Sequence, residues 1–331
     1  MITVIGGGPA GASAAIAACR AGAAEVRVFE KSPFPRHKVC GEFFSPGILT
    51  LLEQLGVASD FQAAGPHRYR FVDLHFPRAH RRLRLPDEGW GLSRLAFDRM
   101  LLDAARREGA IVQQEKVEAP TAGGAVVEAR GRQFWAARGT RLFGFKAHFA
   151  GPVDDTVSLY FWNSSCYVGI NAVEGGVTNL CGLAPEHLLK ARGFHPEELA
   201  AEFAPLRARF ATLARRTDWM FTGPLLFDDR LRQPPASPQT YWAGDQLSFV
   251  DPFTGSGMLA AVFTGRRAGV SAVAGESEES YLRSASASLA GPRRMSALVR
   301  WAIGNGLAET LMPLTPAAWL FHWTRPSLGR K

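Results

Sequence analysis

The chain has 331 residues, of which 47% are hydrophobic and 21% charged, an ordinary balance for a folded protein with room for two domains or one elaborate one. Its net charge of +8 comes from scattered basic residues with no long basic run; without a nucleic-acid module this argues against DNA or RNA and leaves anionic substrates or a membrane surface. No segment approaches the roughly 18 apolar residues of a membrane span, the four cysteines lack metal-ligand spacing, and a strand beginning at residue 2 leaves no room for a leader, so no metal and a reducing, cytoplasmic setting are expected.

In chain order, the opening reads as a strand over 2–5, a glycine turn, a helix over 10–21 and a strand over 25–29, a βαβ unit. A Pro/Gly-punctuated loop over 31–44 follows, and Ser45-Pro46 reads as the N-cap and N1 of a helix to Leu55. Residues 67–91 alternate like strands through Tyr69, Phe71, Leu74 and Phe76, and 93–108 form an amphipathic helix with Leu95, Met100, Leu101 and Ala105 as its stripe. A strand over 111–117 returns to the first sheet. Four strand-like runs at 143–149, 156–162, 165–171 and 177–183 are spaced like an antiparallel sheet. Helical sequence covers 186–216, a proline-rich loop over 233–238 leads to a strand at 240–243, and the last third is helical over 256–273 and 276–304, with a break near Pro292 and a tryptophan-rich tail. The order predicts a nucleotide-type α/β domain interrupted by an antiparallel sheet and resumed late.

Two glycine-rich motifs carry the chemistry. Gly6, Gly8 and Gly11 in Gly-Gly-Gly-Pro-Ala-Gly have the fingerprint spacing: a tight turn, close approach of backbone to a pyrophosphate, and close packing of helix on strand. The helix that opens at Pro9-Ala10 directs roughly half a positive charge at that anion. Glu30 ends the second strand, 19 residues after Gly11, where a carboxylate suits ribose hydroxyls and disfavours a 2′-phosphate. Near residue 250, Gly244-Asp245 follows a short strand, and Asp251-Pro252-Phe253-Thr254-Gly255-Ser256-Gly257-Met258 leads into a helix. Asp245 there suits a ribityl hydroxyl, and the helix N-terminus suits negative charge on a reduced flavin ring.

With Arg36-His37-Lys38-Val39-Cys40-Gly41-Glu42 and Leu92-Ser93-Arg94-Leu95-Ala96-Phe97-Asp98, these motifs resemble the FAD-dependent group that includes geranylgeranyl reductases and para-hydroxybenzoate-type hydroxylases. The resemblance implies a Rossmann-like α/β FAD-binding domain from 1–66, 92–140 and 238–275, an antiparallel β-sheet substrate domain from 67–91 and 141–237, and a C-terminal helical segment over 276–331. It implies FAD contacts at Gly6, Gly8, Pro9, Ala10, Gly11, Glu30, Lys31, Arg36, Arg94, Gly244, Asp245, Pro252, Gly255, Ser256, Gly257 and Met258, with Lys38 and Cys40 as catalytic candidates. His37 and His148 are further proton-donor candidates on pKa grounds.

The expected activity is FAD-dependent hydride transfer through flavin N5 to a hydrophobic isoprenoid- or polyketide-like substrate, with NAD(P)H as candidate donor. The apolar sheet positions Phe143, Phe145, Phe149, Phe161 and Trp162 are the candidate substrate face. A flavin monooxygenase acting on an aromatic ring is the alternative, and an FAD-fold protein with impaired redox activity is a third reading. The third is motivated by a departure from the relatives' pattern, Ala137-Arg138-Gly139 where they carry Asp-Gly before the substrate sheet. Trp301, Trp319 and Trp323 in the C-terminal tail are candidates for a peripheral membrane contact. The sequence sets no oligomeric state.

Overall fold

A computed structural model of the chain describes residues 1–117, 124–132, 141–163, 166–225, 239–248 and 255–311. Pro252, residues 137–139, the 233–238 loop, Trp319 and Trp323 lie outside the described residues. The elements in chain order are β1 (Ile2–Ile5), α1 (Pro9–Arg20), β2 (Val26–Phe29), β3 (Phe43–Phe44), α2 (Ile48–Gln54), α3 (Ala58–Ala63), β4 (His67–His75), β5 (His80–Gly91), α4 (Arg94–Arg107), β6 (Ile111–Gln113) and β7 (Ala125–Glu128). There follow β8 (Leu142–Ala150), β9 (Thr156–Trp162), β10 (Cys166–Ala172), β11 (Thr178–Pro185), α5 (Glu186–Lys190), α6 (Pro196–Ala201), α7 (Ala204–Phe210), β12 (Ala214–Arg215), β13 (Met220–Leu225), β14 (Thr240–Trp242), α8 (Gly257–Ala274), α9 (Glu278–Gly304) and α10 (Ala308–Leu311).

The first sheet is parallel, in the order β14-β7-β1-β2-β6. Its central strand β1 is buried at every position, which explains the unbroken apolar run Ile2-Thr3-Val4-Ile5 where a half-exposed strand would alternate. The second sheet runs β12-β8-β11-β10-β9-β4-β5-β3, with β13 also on β8. It is antiparallel except where β4 lies parallel to β9, so the 67–91 hairpin joins the later strands in one surface. The architecture is mixed α/β, one parallel and one largely antiparallel sheet.

Helix α1 is made of small residues because α8 crosses it backbone to backbone. A Cβ added at Gly265 would overlap the Ala10 carbonyl, and one at Gly269 the Ala14 carbonyl. Gly11 is equally constrained, since a Cβ there would collide with the carbonyl of Gly6, itself at φ +106°. Helix α4 starts as the sequence predicts, with the Ser93 hydroxyl accepting from the Ala96 N–H at 3.1 Å.

Four expectations need correction. Helix α2 begins at Ile48, two residues after Pro46, because Gly47 at φ 98° turns the chain first. The 111–117 strand shortens to Ile111–Gln113, and the 186–216 stretch divides into three short helices, Pro196 and Pro205 each opening a new one. Helix α9 does not break at Pro292. Tyr281, Ala285, Leu289, Pro292 and Ser296 form one buried stripe, and that continuous burial offsets the roughly 3 kcal/mol a mid-helix proline costs.

Candidate functional site

The C-terminal ends of β1, β2, β7 and β14 open onto a cavity of about 830 Å³ whose opposite wall is the second sheet. This is the carboxyl-end crevice where open parallel sheets hold ligands. Of the residues singled out from sequence, Gly6, Gly8, Pro9, Ala10, Glu30, Lys31, Arg36 and Arg94 line it. So do Gly244, Asp245, Gly255, Gly257, Met258, Lys38 and Cys40. Gly11 and the buried Ser256 stand behind that surface.

The local chemistry fits a dinucleotide with a flavin. The N-terminus of α1, capped by Gly8, and that of α8, capped by Ser256, carry no side-chain cap hydrogen bond; Gly8 and Gly257 face the cavity, and an added Cβ at either would meet nothing within 4 Å. Both therefore offer N–H groups and open space to a bound group. The buried Glu30 carboxylate accepts from the N–H of Gly7 and of Ser32, both at 2.9 Å, and from Arg36 at 3.0 Å. A carboxylate has about four lone-pair sites, so one remains for a ribose hydroxyl. Asp245 lines the cavity with its side chain accessible there, yet protein atoms surround it densely. That burial raises its carboxyl above the ordinary value, with Arg94, Arg132 and Lys38 pulling the other way. Burial, then Arg36 and Arg94, hold the Lys38 ammonium below its ordinary value. Arg94 is pushed down by burial but held up more strongly by Asp98, which it grips through two hydrogen bonds of 2.6 and 2.7 Å, and it also contacts the Cys40 thiol.

The 36–42 loop is clamped between the sheets by a polar cluster centred on Glu42. Its fully buried carboxylate pairs with Lys146, accepts from the Arg94 N–H at 2.7 Å, and lies 2.8 Å from His148 Nε2. Burial alone would raise the Glu42 carboxyl; the His148 hydrogen bond and the Lys146 charge outweigh it and hold it below the usual carboxylate range. Lys146 Nζ also donates to the Lys38 carbonyl at 3.2 Å, and the Asn179 amide donates to the Gly41 carbonyl at 2.9 Å. His37 stands edge-on to His148 with ring centroids 5.2 Å apart; partial desolvation, then Lys146 and His148, lower its basicity although its surface is exposed.

The sequence reading missed this cluster, although a signal was present: along β8, Lys146 and His148 alternate with Phe145, Ala147 and Phe149, so the polar residues share one face. That alternation also corrects the expected substrate face. Phe145, Phe149 and Trp162, with Phe143 beside them, pack on the far side of the sheet against α5–α7; of the five positions only Phe161 lines the cavity. The apolar wall is instead Val72, Leu74, Phe76 and Leu83 from the hairpin, Val157, Leu159 and Phe161 from β9, with Tyr167, Leu183 and Leu225, roofed by Val299 and Ile303 of α9. Strand β7 was missed as well; it continues into Ala129-Arg130-Gly131 at the cavity, where Arg130 pairs with the buried Glu128, so this strand end too carries Arg before Gly. One cluster of metal-ligand residue types, Asp73, His75 and His80, occurs among the described residues, but Arg82 occupies the Asp73 carboxylate.

Residues 1–139 match the family model described as FAD binding domain. The chain is 45% identical to menaquinone reductase of Mycolicibacterium smegmatis over 58 residues, 18% of this chain and 14% of that protein. It is 33% identical to menaquinone reductase of Mycobacterium tuberculosis over 116 residues, 33% of this chain and 27% of that protein. The matches thus span 14% and 27% of the length of these curated relatives. Among solved structures, the flavin-dependent brominase Bmp2 aligns with TM-score 0.78 and 18% identity over 98% of this chain and 92% of that one. A geranylgeranyl bacteriochlorophyll reductase-like protein from Thermoplasma acidophilum aligns with TM-score 0.69 and 18% identity over 97% and 89%. Fold and site together define a flavoprotein architecture, a parallel nucleotide sheet facing a second sheet across one cavity. More narrowly, residues 1–139 match an FAD-binding domain and the whole shares its fold with these flavin-dependent and reductase-like structures, as the motif resemblance implied.

Proposed function

We propose that the protein is an FAD-dependent oxidoreductase that reduces a hydrophobic organic substrate of isoprenoid or polyketide type, with NAD(P)H as electron donor. The observation that carries this reading is the single cavity, lined by fingerprint glycines and helix N-termini at one end and by aliphatic side chains at the other. Bound FAD supplies the two-electron step, hydride transfer through its N5. The α1 N-terminus and Arg94 would hold the pyrophosphate, Glu30 the adenosine ribose, Asp245 the ribityl chain and the α8 N-terminus the ring. The wall from Val72 to Leu225 binds the substrate and excludes water. Reduction of a carbon–carbon double bond also needs a proton on the carbon that does not receive hydride. Lys38 is the proposed donor, because an ammonium whose affinity for its proton has been lowered by burial gives it up more readily. Cys40, lying against Arg94, is the proposed second contact to substrate.

The test is a visible spectrum of the purified protein before and after anaerobic NAD(P)H. A flavin spectrum that bleaches on addition is the expected result, and a protein that neither contains nor takes up FAD refutes the reading. Oxygen consumption that tracks substrate would move the assignment to a monooxygenase.

A further inference from the structure

The distal, apolar end of the cavity is closed by the last turns of α9, where Val299 and Ile303 face inward at a spacing of four residues. The opposite face of the same turns is apolar too. Leu298 is 53% exposed and Trp301 55%, three residues apart on one side of the helix, and Leu307, just beyond it, is 40% exposed. Isolated exposed apolar residues need no explanation, but a cluster on the outer face of the helix that roofs an apolar cavity does. Along the helix that leads to it, beyond Glu279, the charge is of one sign. Between Glu279 and Glu309 the chain carries Arg283, Arg293, Arg294 and Arg300 and no carboxylate. Arg294 is exposed one turn before Leu298 on the same stripe, and Glu309, which ends the run, accepts a hydrogen bond from the Arg78 N–H at the tip of the β4–β5 hairpin.

We propose that this end of α9 is a docking surface for an anionic lipid bilayer and that the cavity takes its substrate from that bilayer. The inference rests on the reading that the substrate is hydrophobic, and it names where such a molecule enters. Arginines that attract anionic headgroups, flanking a tryptophan and leucines that enter the acyl boundary, are the composition of an interfacial helix. No helix among the described residues is long and apolar enough to cross a membrane, so the contact is peripheral. A second copy of the chain is the less favoured occupant, because the same run of arginines would then face itself.

The experiment is co-sedimentation of the full chain with vesicles of phosphatidylcholine alone and of phosphatidylcholine with phosphatidylglycerol. The expected result is binding to the anionic vesicles, weakened by high salt and absent with phosphatidylcholine. Leu298→Ser/Trp301→Ser should lower that binding at least tenfold, and Arg294→Gln should reduce it and its salt dependence, with melting temperature and flavin content unchanged in both. A wild-type chain that ignores anionic vesicles, a double variant that binds as well as wild type, or one that converts a dimer to a monomer overturns the proposal. Flavin content and anaerobic bleaching, read on the same samples, report on the oxidoreductase reading separately, so either can fail while the other stands.

Discussion

At the scale of single residues, Glu42 is a fully buried carboxylate held from several sides. A carboxylate with no exposure is tolerated only because Lys146, His148 and a backbone N–H meet both of its oxygens. Its sequence context, a Gly-Glu at the end of a loop, reads as turn chemistry. Nothing local shows that a strand about a hundred residues later brings Lys146 to it, and the contact is legible only once the polar face of β8 is noticed. Because the folded protein holds the Glu42 carboxyl below its ordinary value of 4.5, the stability it contributes is present above that value and is lost as pH falls through the lower folded one. Lys146→Met leaves the buried carboxylate without its cation and should cost about 3–5 kcal/mol at neutral pH. The same variant should also lose less further stability on acidification than wild type, since its carboxyl is no longer held down. Denaturant melts of both proteins from pH 7 to pH 3 measure the two effects together; equal stability at pH 7 would show that the pair contributes nothing net.

At the scale of elements, the first βαβ unit and the bounds of α9 were legible almost to the residue, but the continuity of α9 through Pro292 was not. The difference lies in what fixes each of them. The glycine turn and the small residues of α1 are local demands: Gly6 needs positive φ, and neither Gly11 nor Gly265 has room for a Cβ. Pro292 is a local signal to stop, yet a buried stripe contributed by distant elements overrides it. Which face of β8–β11 meets the cavity was marked only by the Lys146/His148 alternation in β8, because both faces are buried and tertiary packing assigns the phenylalanine face to α5–α7. The glycines of the α1 region also separate by experiment. Gly265→Val forces a side chain into the Ala10 carbonyl and should cost about 3 kcal/mol, the upper end for overpacking, or more. Gly8→Val meets open space at an extended backbone position, φ −71° and ψ −175°. It should leave the thermal melt of the flavin-free protein within a few degrees of wild type, yet lower FAD affinity at least tenfold by filling the approach to the α1 N-terminus. Flavin titration alongside the melts decides the matter. A Gly8→Val protein that binds FAD normally would mean that the nucleotide does not lie against this turn.

For the whole molecule, two sheets facing one cavity assign cofactor and substrate, on the proposed reading, to different walls. The parallel sheet and the α1 and α8 N-termini supply N–H groups, carboxylates and guanidinium groups; the second sheet supplies mainly apolar side chains, with Tyr167, Asn171 and Thr222 among them, and the Glu42 clamp fixes the loop between the sheets. Substitutions on the apolar wall should therefore change substrate handling and leave the cofactor alone. Val157 on β9 is the position to use, since it lines the cavity beside Leu159 and Phe161 and lies on a different wall from the fingerprint glycines. Val157→Trp adds bulk that can extend into the cavity space without removing a hydrogen bond or a charge. FAD content and the rate of anaerobic reduction by NAD(P)H should stay within about twofold of wild type, while KM for a prenylated or long-chain substrate rises by ten- to a hundredfold, the effect of about 1–3 kcal/mol of lost apolar contact. If flavin reduction falls in parallel with substrate turnover, the two walls are not independent, and the apolar end of the cavity serves the cofactor itself.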